Sequence, residues 1–118
     1  MKILLVDDAK FMRTVLRRIL EKAGHTIVGE GNNGNIGFKL YKELKPDLTL
    51  LDITMPEVSG LECLKMIKGY DSNAKIIMCS AMGQQSMIIE AVQHGALDFI
   101  VKPFQESRVL AAVERVRG

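Results

Sequence analysis

Short apolar runs alternate with longer segments of helical period along this chain. Five runs rich in Ile, Val and Leu read as strands: Lys2–Val6, Thr26–Glu30, Leu48–Leu51, Lys75–Cys79 and Asp98–Val101. Their starts lie 24, 22, 27 and 23 residues apart, the length of one strand-plus-helix unit rather than of a sequence repeat. The first, third and fourth are nearly unbroken in apolar residues (Ile3-Leu4-Leu5-Val6, Leu48 with Leu50-Leu51, Ile76-Ile77-Met78). A strand wetted on one face alternates, whereas one covered on both faces does not. These runs therefore predict a parallel sheet between helical layers.

The segments between them carry the helical period. Phe11, Met12, Val15, Leu16, Ile19 and Leu20 fall on one stripe of the first helix, and Gly24 stops it. The second helix is predicted over Phe38–Leu44, its start delayed or frayed by Gly34 and Gly37 and its end set by Lys45-Pro46-Asp47. Ser59-Gly60-Leu61-Glu62 is a capping-box pattern that opens the third helix. Met87, Ile88, Ala91 and Val92 stripe the fourth, which closes at His94-Gly95. Val109, Leu110, Val113 and Val116 stripe the fifth, predicted to run to the C-terminus.

Five strand–helix units with right-handed crossovers predict a doubly wound α/β domain over residues 1–118, helices on both faces. The flavodoxin-like strand order 2-1-3-4-5 is the expected arrangement, with ligands beyond the C-terminal ends of the strands at the switch between the first and third. Composition narrows the picture. Apolar residues make up 47% and charged residues 25%, an ordinary globular balance. The net charge of +2 is too small to point to nucleic acid. The apolar runs are too short for a membrane span or a signal peptide, which predicts a cytoplasmic chain without membrane contact. Cys63 and Cys79 form neither a disulfide framework nor a metal cluster and are expected to be small buried hydrophobes in a reducing compartment. His25 and His94 read as a loop residue and a helix-end residue, without assigned chemistry.

The strand ends carry the chemistry. The first runs into Asp7-Asp8, the third into Asp52, the fourth into Ser80 and the fifth into Lys102-Pro103. Each alone has a plain reading: an aspartate capping a helix, a turn residue before Pro56, a loop hydroxyl, a solvated ammonium. Together they face one crevice. Asp7, Asp8 and Asp52 bring a charge of −3, and like charges about 4 Å apart repel by roughly 4 kcal/mol per pair at an effective dielectric near 20. Lys102 returns +1, and a divalent cation would bring the site near neutrality. Carboxylate, carbonyl and water oxygens are hard ligands, so Mg²⁺ is the expected ion and Mn²⁺ the alternative; no His or Cys is present to favour Zn²⁺. A carboxylate, a divalent ion, a hydroxyl and an ammonium suit phosphoryl transfer to an aspartate. Ser80 could then bond a phosphoryl oxygen and draw the following loop toward the site.

In Leu4-Leu5-Val6-Asp7-Asp8, Asp52-Ile53-Thr54-Met55-Pro56, Ser80-Ala81 and Lys102-Pro103-Phe104, in this order and spacing, the sequence resembles the receiver domains of two-component response regulators over essentially its whole length. The resemblance implies that Asp52 is the phosphoryl acceptor. It implies that Asp7, Asp8, Asp52 and the backbone carbonyl of Thr54 are the Mg²⁺ ligands. It places Ser80 as the switch hydroxyl, Lys102 as the family lysine with a cis bond to Pro103, and Phe99 as the switch aromatic, without the hydroxyl a Tyr would carry there. The Gly31–Gly37 stretch departs from the family's usual Asn-Gly-x-x-Ala pattern, with Gly37 where Ala is typical.

The same resemblance implies a signalling protein rather than an enzyme, one that slowly hydrolyses its own aspartyl phosphate. Its expected partners are a histidine kinase as donor, a flagellar motor switch or adaptor protein as reader, and a phosphatase. Output is expected through the fourth helix, fifth strand and fifth helix, a face holding Gln85, Ile89, Phe99, Val101 and Arg108. A phosphorelay shuttle, or an isolated receiver domain of a larger regulator, is the alternative role. Two other functions on this fold fit less well. A flavin phosphate would be repelled by Asp7-Asp8, and an aspartate-nucleophile phosphatase would need a substrate-gripping cap for which the chain has no spare length.

Overall fold

The computed structural model describes residues 1–117. Five strands alternate with five helices: β1 Lys2–Val6, α1 Lys10–Lys22, β2 Thr26–Gly31, α2 Gly34–Leu44, β3 Leu48–Asp52, α3 Gly60–Tyr70, β4 Ile76–Ser80, α4 Gln85–Gln93, β5 Asp98–Val101 and α5 Glu106–Arg117. All strand pairs are parallel, in the order β2-β1-β3-β4-β5. The three inner strands contribute residues to both cores, as their unbroken apolar runs require. One core packs α1 and α5 against the sheet through Leu16, Leu20, Val109 and Val113; the other packs α2, α3 and α4 through Tyr41, Leu64, Ile67 and Ala91. Ile3, Leu5, Leu50 and Ile77 face the first core, while Leu4, Leu51, Ile76 and Met78 face the second. That is the alternation of a pleated strand with two apolar neighbours.

Three helix readings need correction. The second helix starts at Gly34 rather than Phe38, because the Asn33 side chain caps it by accepting from the Ile36 amide at 2.9 Å. Gly34 is demanded by packing: a Cβ there would stand 2.5 Å from the Val58 carbonyl oxygen. Lys45, in left-handed geometry at φ 45°, ends this helix as expected. Phe11, placed on the buried stripe of the first helix, is 71% exposed, since that first turn projects past the edge of the core that Leu16, Ile19 and Leu20 fill. In α4 only Ala91 is buried and Ile88 half-buried; Met87 and Val92 lie exposed beside Ile89. The helix rests on the sheet by a narrow edge, so much of its apolar surface is open. In α5, Ala112 joins Val109, Val113 and Val116 in the core, Leu110 is half-buried, and the expected last residue of the run, Gly118, lies outside the described residues.

The capping box at Ser59 is present, with Ser59 Oγ accepting from the Glu62 amide and Glu62 accepting from the Ser59 amide. Both cysteines are free and buried; burial pushes the Cys63 thiol up to about 12 and the Cys79 thiol higher still. His25 lies in the loop between α1 and β2, as expected, and is buried there, with Nδ1 3.1 Å from the terminal amine of Met1.

Candidate functional site: an acidic pocket at the strand ends

The order β2-β1-β3-β4-β5 sets β1 beside β3, so the residues that follow their last core positions emerge together. Val6 pairs with Leu51, and one residue on, Asp7 and Asp52 leave the same edge of the sheet. Carboxylate oxygens of Asp7, Asp8 and Asp52 lie within 4.8 Å of one another, with Asp7 and Asp52 buried and Asp8 exposed. Lys102 follows the end of β5 and is joined to Pro103 by the expected cis peptide bond. Its Nζ stands 2.9 Å from Asp7 Oδ2 and 3.3 Å from Asp52 Oδ1. Four of the predicted residues, Asp7, Asp8, Asp52 and Lys102, therefore share one pocket.

Ser80 is at the end of β4, but it does not join the ion-paired set. Asp52 pairs with Cys79, so Ser80 is one residue further and on the alternate side of the pleat. Its hydroxyl is fully buried and has no hydrogen-bond partner among the described residues. Thr54 is exposed in the loop after β3, and Phe99 is half-buried in β5. Phe99 lines an apolar groove of about 560 Å³ with Met82, Ile88, Ile89 and Val101.

The electrostatics follow from burial. Removal from water raises the Asp52 carboxyl from its ordinary 3.8 to about 6, with a further push from Asp7 and an opposing pull from Lys102. Burial works to lower the Lys102 pKa, yet its bonds to Asp7 and Asp52 outweigh it and hold the ammonium charged above its ordinary value. Three carboxylates and one ammonium leave −3 + 1 = −2, the charge one divalent cation would balance. The donor set fits such an ion. Asp7 Oδ1 is committed to the Ala9 amide at 2.9 Å, but Oδ2 is buried without a properly angled hydrogen bond despite its ion pair with Lys102. A buried oxygen with free lone pairs beside two more hard carboxylates suits Mg²⁺ or Mn²⁺.

Three supporting residues escaped the sequence reading. Arg13 donates from its guanidinium to the Asp7 carbonyl at 2.6 Å and to Glu30 at 2.8 Å, which fixes the backbone that carries both β1 acids. Its helical neighbour Arg17 grips the same Glu30, and their (i, i+4) spacing is the signal that could have shown a shared face. Gly60 is required by close approach: a Cβ there would collide with the Asp52 carbonyl, while the Gly60 amide donates to Ile53 O at 2.7 Å. Gln84 accepts from the Ala81 amide at 2.7 Å and reaches Thr54 Oγ1 at 3.5 Å, so one side chain spans the loops after β4 and β3. The capping-box pattern includes Gly60 without showing its approach to Asp52, and no local pattern marks Gln84.

Comparison with known proteins places this geometry. The family model "Response regulator receiver domain" matches residues 3–114. The chain is 56% identical to chemotaxis protein CheY of Thermotoga maritima over 98% of its length and 96% of that protein's. It is 57% identical to the CheY of Bacillus subtilis, over 97% and 95% of the two chains. Among solved structures, the CheX–CheY–BeF3–Mg²⁺ complex from Borrelia burgdorferi matches with a TM-score of 0.95 and 35% identity, covering 99% of this chain and 89% of that one. The strand order is the one for which CheY serves as a standard example. The chain belongs to the response regulator receiver family.

Proposed function

We propose that this chain is a phosphorylation-switched chemotaxis regulator in the cytoplasm, formed by residues 1–118 as one receiver domain. The observation that carries this reading is the convergence of Asp7, Asp8, Asp52 and Lys102 at the switch point of the sheet. The Asp52 carboxylate attacks the phosphorus of a histidine kinase's phosphohistidine. A new P–O bond forms, the P–N bond breaks, and the imidazole leaves with a proton from solvent. Lys102 neutralises a phosphoryl oxygen as charge develops on it. Asp7, Asp8, Asp52 and the Thr54 carbonyl would hold Mg²⁺, which supplies charge neutralisation for the phosphoryl oxygens. The buried, unpaired Ser80 hydroxyl is a donor without a partner until a phosphoryl oxygen arrives. On this reading turnover is limited to slow hydrolysis of the chain's own aspartyl phosphate.

Output runs through the α4–β5–α5 face. Met82, Met87, Ile89 and Val92 are exposed there around the groove that Phe99 lines, a patch of the kind used for docking. The relatives named as chemotaxis proteins support a chemotaxis role, and on this reading the reader is a flagellar motor switch or adaptor protein, with a phosphatase as a further partner. Calorimetric titration of a purified flagellar motor switch protein, with and without beryllofluoride and Mg²⁺, tests the reading. Tighter binding in the loaded state, abolished by Ile89→Asp, is expected. Equal binding in both states rejects it.

A further inference from the structure

We infer that Gln84 masks the backbone amide that follows the switch hydroxyl, and so holds the loop after β4 in its resting state. Gln84 occupies the N-cap position of α4, yet its side chain makes no capping bond to that helix. It turns back instead, and its Oε1 accepts from the Ala81 amide at 2.7 Å. Its Nε2 extends to Thr54 Oγ1 at 3.5 Å, two residues past Asp52. The short bond is the strong end of this tie and the long one the weak end.

The position of Ala81 gives the tie its consequence. Asp52 pairs with Cys79, about 5 Å away across the sheet, and Ser80 and Ala81 follow next on that neighbouring strand. An anion on Asp52 seeks nearby donors. The Ser80 hydroxyl is free to serve, but the Ala81 N–H is already engaged. Gln84 therefore competes with the phosphoryl group for that amide, and its release frees both the amide and the loop up to Gly83, whose φ of +88° is set for a turn. The half-exposed Gln84 side chain has room to swing away.

This inference rests on Asp52 being the phosphoryl acceptor, and the test separates the two. Beryllofluoride with Mg²⁺, a phosphoryl mimic, is titrated into the wild-type chain, Gln84→Ala and Gln84→Glu. Failure of the wild-type chain to bind would defeat the reading of Asp52 itself. With wild-type binding present, Gln84→Ala should bind about fivefold tighter, the effect of freeing one neutral hydrogen bond. Gln84→Glu keeps the acceptor and strengthens it with charge, and should bind more weakly than wild type. Opposite signs for the two variants, at similar thermal midpoints, are not a general packing effect. Gln84→Ala binding no tighter than wild type, or Gln84→Glu binding tighter, would overturn the mask.

Discussion

Replacing Asp52 by Asn is expected to stabilise the metal-free fold at neutral pH. Asp52 is only 4% exposed, and its carboxyl titrates near 6 instead of 3.8. Between these values the folded chain retains a proton that the unfolded chain has released. The folded state binds that proton more tightly, so Asp52 lowers stability as pH rises from about 4 to about 6, and the loss is complete above that range. A separation of about two pH units corresponds to roughly 3 kcal/mol. The Asn amide keeps the volume and drops the charge, but burying it offsets about 1 kcal/mol. A net gain near 2 kcal/mol remains, roughly 8 °C in Tm for a domain of this size. Urea unfolding followed by circular dichroism in EDTA measures it directly. Near pH 3.5 only the cost of burying the amide remains, a loss of about 1 kcal/mol, and the gain should be full above about pH 7. A gain independent of pH, or Asp52→Asn no more stable than wild type at neutral pH, refutes the claim that burying the Asp52 charge, with Asp7 beside it, strains the pocket.

Three other outcomes follow from the same geometry. Asp7→Ala and Asp8→Ala should each weaken Mg²⁺ binding by at least about tenfold in calorimetric titration, and wild-type affinity in both would remove the metal reading. Gly60→Ala must displace the Asp52 backbone, because its Cβ would overlap the Asp52 carbonyl; a loss of about 3 kcal/mol or more in chemical unfolding is expected, together with an altered amide spectrum at Asp52. Burial, with the Met1 amine and Arg117 adding to it, depresses the His25 pKa below 6.5, so the folded chain resists that proton. Stability from this source is present above 6.5 and falls as pH drops below it, and His25→Gln should flatten that decline in pH-dependent thermal unfolding.

The strands and the four charged strand ends were legible because a parallel sheet translates chain order into space. Once β1 and β3 are neighbours, Asp7, Asp8 and Asp52 have nowhere to go but the same edge, and Lys102 closes over them from β5. Periodicity served less well where burial is partial. Phe11 and Val92 sit on apolar stripes by spacing, yet nothing covers them, because a helix period reports a face and not what packs on it. Glycine propensity does not decide the start of α2: the local Asn33 cap and the contact of Gly34 with Val58 do, and the second depends on a loop remote in sequence. Arg13, Gly60 and Gln84 act through contacts to backbone or to another loop. The four-residue spacing of Arg13 and Arg17 marks a shared face, but no spacing along one element shows what Gly60 and Gln84 touch.

On the proposed function, the acidic pocket directs a phosphoryl group onto one carboxylate. Incubation with acetyl phosphate and Mg²⁺, borohydride reduction of the acyl phosphate to an alcohol, and peptide sequencing by mass spectrometry locate it. The result predicted is homoserine at position 52 alone, dependent on Mg²⁺ and lost in EDTA. Reduction at another acid, or equal labelling of Asp52→Asn, would contradict it.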